Sequence, residues 1–174
     1  MIEVRLGDLA DVAADAIVRP VAADFSAVTP AMRRFEQAAG PTVAEQGRRL
    51  GEIPVGSAVI TAPGGLTAQL IIHVAVRSAT ENATGTGVRQ GFVNALRRAA
   101  EWGASSIAVA PLGTGAGNLD AETAADIMLA VLADHVRSGT GPDRVVLVAE
   151  DAYQEGAFRS AVDRHIGERT GPNG

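Results

Sequence analysis

Apolar residues along this chain fall into short runs that alternate with longer stretches of helical periodicity. Ile2 to Leu6 alternates apolar with charged residues, the pattern of a strand near a sheet edge, and Ala16-Ile17-Val18 is a short buried strand. Thr29-Pro30 reads as an N-cap followed by proline in the first helical turn, opening a helix through Met32, Phe35 and Ala39 that Gly40 stops. A second short helix runs from Pro41 to Leu50. Strands follow at Ser57 to Thr61 and Leu70 to Ala75, separated by the turn signal Pro63-Gly64-Gly65. Val88, Phe92, Leu96 and Ala99 share one helical face, preceded by Gly85-Thr86-Gly87 with Thr86 as the expected cap and followed by the stop Gly103. Ser106 to Ala110 is the next strand. A helix capped by Asp120 buries Ile127, Val131 and Leu132, and the strand Arg144 to Val148 leads to a final helix from Tyr153 to Ile166. Apolar strands alternating with amphipathic helices predict one mixed, mostly parallel sheet covered on both faces, a three-layer α/β/α domain over residues 1–168. The tail 169–174 has the composition of a frayed end.

Within this frame one segment carries chemistry. Pro111-Leu112-Gly113-Thr114-Gly115-Ala116-Gly117-Asn118 lies between a strand and a helix start. Alternating glycines admit positive φ and close backbone approach, and the following helix adds unpaired N–H groups and a positive dipole end, so the loop suits an anion such as phosphate. The same glycines would also make a tight strand-to-helix turn.

Composition then removes alternatives. The 174 residues are 47% hydrophobic, enough for one sizeable core. A formal net charge of -5 argues against duplex nucleic acid as partner. Cysteine is absent, which excludes disulfides, thiolate metal sites and thiol nucleophiles, and all 15 basic Lys+Arg positions are arginine, which excludes a Walker-type or Schiff-base lysine. No metal or cofactor is expected. His73 sits in an apolar strand and reads as a structural histidine, while His135 and His165 lack the paired spacing of a zinc site. No stretch is long and apolar enough to span a bilayer and no leader pattern opens the chain, so a cytoplasmic protein without membrane contact is expected.

Gly7-Asp8-Leu9, Asp15-Ala16-Ile17-Val18, Ser57 to Thr61, Ile71-Ile72-His73 and Leu112-Gly113-Thr114-Gly115 occur in the order and spacing of macrodomains, and the resemblance runs from about residue 2 to residue 151. It implies a three-layer α/β/α module that binds ADP-ribose, some members of which hydrolyse ADP-ribosyl esters or O-acetyl-ADP-ribose. On that resemblance Asp8 accepts a hydrogen bond from the adenine amine, Leu9 lines the same end, and Gly113, Thr114, Gly115, Ala116 and Gly117 wrap the diphosphate. The partner is then ADP-ribose or a related nucleotide diphosphate, free or on an ADP-ribosylated protein.

The chain departs from hydrolytic members after its second strand. Those members usually continue with Asn-Ala-Ala-Asn and a glycine-rich segment; here stand Arg19-Pro20-Val21-Ala22-Ala23-Asp24 and Ala27-Val28-Thr29-Pro30. Glycines that would allow close approach are gone, and Pro30 has no N–H to donate. Two readings of Arg19 follow: a guanidinium gripping phosphate or ribose, or a side chain pointing to solvent. The candidates for catalysis are Asp24, as a displaced base, and Arg19. The resulting expectation is a binding module with little or no hydrolase activity; the alternatives are a divergent ADP-ribosyl or O-acetyl-ADP-ribose hydrolase and a scaffold that has lost the ligand. A nicotinamide-dependent oxidoreductase is disfavoured because the glycine loop lies late in the chain rather than after the first strand.

Overall fold

The computed structural model describes residues 1–167. The expected tail, 169–174, lies outside the described residues. Six strands form one sheet in the order β1-β6-β5-β2-β4-β3: β1 (Ile2–Leu6), β2 (Ala16–Ala22), β3 (Ala58–Thr61), β4 (Leu70–Arg77), β5 (Ser106–Val109) and β6 (Arg144–Ala149). All neighbours pair in parallel except β3, which runs antiparallel to β4 at the sheet edge.

The central strands are apolar at nearly every position because both of their faces are covered. Alternate residues point to opposite layers. Val18, Ile72, Val109 and Leu147 face a core closed by α3 (Gly85–Glu101), α4 (Ala121–Ser138) and α5 (Ala152–His165) through Phe92, Met128, Leu129 and Phe158. Ile17, Ile71, Ala108 and Val146 face α1 (Pro30–Ala39) and α2 (Pro41–Leu50) through Met32, Phe35 and Val43. That is the expected α/β/α arrangement.

Most helix starts follow local chemistry. Thr29 Oγ1 accepts from Met32 N at 3.2 Å and Asp120 Oδ1 from Thr123 N at 2.7 Å, each satisfying an N–H that the first turn leaves free. One cap differs from expectation: Thr84, not Thr86, caps α3, its Oγ1 accepting from Gly87 N at 3.1 Å. Gly85 and Thr86 therefore belong to the helix itself.

Strand β2 runs four residues beyond the apolar triplet that announced it, through Arg19, Pro20, Val21 and Ala22. A proline inside a central strand needs a reason. Pairing of β2 with β5 ends at Val18↔Val109, and Val18 O accepts from Ala110 N at 3.1 Å. Two residues on, Pro20 faces that same side with no N–H to donate, so the ladder with β5 stops there. Pairing continues on the other side, with Pro20 opposite Val74 of β4. This extension decides where Arg19 goes.

Candidate functional site

Loops at the carboxyl ends of the parallel strands are where an open α/β sheet binds ligands. Those after β1, β2, β5 and β6 meet here. The loop after β5 is the glycine segment, in which Gly113, Gly115 and Gly117 have φ of 84°, 117° and 78°. A Cβ on Gly113 would lie 2.5 Å from Val88 Cγ2, and one on Gly115 would meet Val28 O at 3.5 Å. Glycine is thus required at the first position by packing and conformation, and at the second by conformation beside a neighbouring backbone.

Among the described residues, no protein acceptor takes the backbone N–H groups of Gly113, Thr114, Gly115, Ala116 or Gly117. The loop's shape is held by other atoms. Leu119 N donates to Gly113 O at 2.9 Å and Asn118 N to Gly115 O at 3.1 Å. Asn118 also accepts from Ala83 N at 2.7 Å and donates through Nδ2 to Ala116 O at 3.2 Å, which ties the loop to the start of α3. Sequence reading did not single out Asn118; its only signal was an amide side chain directly after the last glycine. A run of free N–H groups on a braced loop can receive an anion without first breaking internal bonds.

At the other end lies a cleft of about 120 Å³ bounded by Asp8, Leu9, Met32, Arg34, Phe35, Val148 and Glu150. Asp8 sits at the head of a single 3-10 turn, Leu9–Asp11, but its side chain makes no capping bond. The carboxylate is free of local duty and faces Arg34 across a 3.6 Å ion pair. Leu9 is buried in the wall beneath it.

Between the two ends stand Thr29 and Glu150. Thr29 Oγ1 donates to Glu150 Oε1 at 3.4 Å, and the Val28 carbonyl and Thr29 methyl flank Gly115. Burial pushes the Glu150 carboxyl above the ordinary range, against the stabilising contacts of Thr29 and Gln154. Sequence reading did not anticipate Glu150, which lies just past the end of an apolar strand.

Arg19 occupies neither of its expected positions. It is 1% exposed, so the solvent-facing reading fails, and its guanidinium is directed into the α1 side of the core rather than toward the glycine loop. Its Nε donates to His73 Nδ1 at 2.8 Å and Nη1 to Glu36 Oε1 at 2.8 Å. The rings of Phe25 and Phe35 each lie 5.6 Å from its guanidinium carbon, close enough for cation–π attraction. The cause is the pleat: position 19 shares a face with Ile17 and Val21, and that face is covered by α1 and α2.

The same contacts settle His73. Because Nδ1 accepts, the neutral ring carries its proton on Nε2, which donates to Thr61 Oγ1 at 2.7 Å. Burial, and secondarily the Arg19 charge, holds this ring well below the ordinary histidine range. The structural role expected of His73 is what the network shows.

Asp24 is exposed, and Oδ1 accepts from Ser26 N at 3.0 Å and Ser26 Oγ at 2.6 Å. Those bonds pull its carboxyl below the ordinary range, making it a poorer base. Phe25 beside it has φ 73°, a strained conformation for a non-glycine residue, and Gly47 packs directly on its ring. The loop after β2 is therefore a tight, self-bonded turn.

Comparison with known proteins places this geometry in context. Residues 29–128 match the Macro domain family model. An uncharacterized protein of Aeropyrum pernix is 33% identical over 180 residues, covering 97% of this chain and 90% of the relative. A protein of Citrobacter rodentium named O-acetyl-ADP-ribose deacetylase is 30% identical over 156 residues, covering 86% and 88%. Other relatives are longer, and the chain spans 44% of the length of one of them. Among solved structures, the Oceanobacillus iheyensis macrodomain with ADP superimposes with a TM-score of 0.86 at 19% identity, over 96% of this chain and 92% of the other. Fold, strand order, family match and these identities agree: the chain belongs to the Macro domain family.

Proposed function

We propose that this protein binds ADP-ribose or a related nucleotide diphosphate, with the base near Asp8 and Leu9 and the diphosphate on the backbone of Gly113 to Gly117. The observation that carries the reading is the set of five consecutive N–H groups left without a protein acceptor, opposite a cleft whose exposed Asp8 carboxylate, paired only loosely with Arg34, suits an exocyclic amine. Similarity to a macrodomain solved with ADP supports it. An ADP-ribosylated protein is a candidate carrier of the ligand, and the cytoplasm its proposed place of action.

Hydrolysis is proposed to be slight or absent. Arg19 is held in the core, Asp24 is already bonded to Ser26, and Pro30 offers no N–H, so the loop after β2 presents no group poised to activate water. A second reading, hydrolysis of O-acetyl-ADP-ribose with Asp24 as base, is favoured by the 30% identity to a protein named for that activity. Calorimetric titration with ADP-ribose beside a deacetylation assay separates the two. Binding without turnover supports the first reading, turnover lost in Asp24→Asn the second, and no binding at millimolar ligand refutes both.

A further inference from the structure

Glu150 is a half-buried carboxylate at the end of β6. Its backbone N–H donates to Gln154 Oε1 at 2.8 Å, which fixes where the side chain begins. The carboxylate itself is lightly engaged: Thr29 meets Oε1 only at 3.4 Å, with Gln154 beside it. Arg34 acts on it electrostatically but makes its ion pair with Asp8. An ionised carboxylate offers about four acceptor sites, so about half of this one's capacity is unused. Holding such a group in a cleft wall opposes stability.

Its position supplies a purpose. Glu150 lines the cleft together with Asp8, while its partner Thr29 flanks Gly115 of the glycine loop. A nucleotide with its base at Asp8 and its diphosphate on that loop must pass its proximal sugar over this point. A ribose offers two neighbouring O–H donors, which two carboxylate oxygens can accept, as an acidic residue does for ribose in dinucleotide folds. We propose that Glu150 is a specificity-determining residue that accepts hydrogen bonds from the proximal ribose hydroxyls and so selects ribonucleotides over 2′-deoxyribonucleotides. The inference rests on the nucleotide reading above and goes beyond it by assigning the sugar contact.

The test compares ADP with 2′-deoxy-ADP on the parent protein and on Glu150→Gln and Glu150→Ala. A hydrogen bond to a charged group is worth about 1.5–3 kcal/mol, so the parent is expected to prefer ADP by roughly 10-fold or more. That ratio should shrink severalfold in Glu150→Gln and approach unity in Glu150→Ala. The ratio is the readout, because removing a negative charge near a diphosphate raises both affinities. Thermal stability of Glu150→Gln near neutral pH should hold or rise, since a half-buried charge has been removed; a merely structural Glu150 would make it fall. A preference absent from the parent, or unchanged in both variants, overturns the inference while leaving the nucleotide reading intact. Failure of the parent to bind either ligand overturns the nucleotide reading, and this one with it.

Discussion

Replacing Arg19 with methionine should lower the melting temperature substantially while leaving nucleotide affinity nearly unchanged. Methionine keeps an unbranched apolar side chain between Phe25 and Phe35 but removes both guanidinium hydrogen bonds, at 2.8 Å to His73 and 2.8 Å to Glu36. Removing one partner of a buried pair costs about 3–5 kcal/mol, because the other charge is stranded. Glu36 is 32% exposed at its side chain and regains some water, which puts the loss near the low end of that range, roughly 3 kcal/mol. For a chain of this size each kcal/mol moves the midpoint by about 2–4 °C, so a drop of roughly 6–12 °C is expected by calorimetry or circular dichroism. The double variant Arg19→Met/Glu36→Leu should recover at least about 1 kcal/mol of this, since the stranded carboxylate is then gone. A phosphate-gripping arginine predicts the reverse pattern. If Arg19→Met melts within about 2 °C of the parent and loses tenfold or more in ADP-ribose affinity, the assignment of Arg19 to the core is wrong.

Three further outcomes follow from the geometry. Gly115→Glu should abolish ADP-ribose binding in a calorimetric titration while secondary structure is retained, because a carboxylate would enter the N–H cradle; retained affinity would mean the loop is only a turn. Asp8→Ala should weaken binding by about tenfold, the worth of one hydrogen bond to a charged acceptor, with little change in stability because the side chain caps nothing; unchanged affinity would remove Asp8 from the site. His73 is neutral when folded, with its affinity for a proton depressed, whereas the unfolded chain takes up that proton near the ordinary histidine value of 6.5. Stability from this residue is therefore fully present above about pH 6.5 and falls as pH drops, by up to about 1.4 kcal/mol per pH unit. An NMR titration in which the His73 ring protonates near its ordinary value would contradict the buried network.

Much of the architecture was legible in the amino-acid sequence because it depends on local chemistry. Strands buried on both faces must be apolar throughout, and Ile71-Ile72 and Val145-Val146-Leu147 say so directly. Thr29 and Asp120 cap helices because the first turn always leaves N–H groups free. The glycine loop was visible because only glycine takes positive φ at alternate positions without strain. The cap of α3 was misplaced from Thr84 to Thr86 because both threonines stand beside glycine and one residue pattern fits either start.

Arg19 shows where local chemistry stops. Its direction depends on β2 continuing past Pro20, which is possible because β4 still pairs with it on the other side, and on Glu36 and His73, 17 and 54 residues away, arriving beside it. Neither fact is written near position 19. Glu150 and Asn118 acquire meaning in the same way, through loops brought together at one end of the sheet. The chain's own pattern determined the strands, the caps and the cradle, since each answers to its immediate neighbours. Tertiary structure alone decided which charged side chains face the cleft and which are enclosed in the core, because that depends on what the sheet order places opposite them.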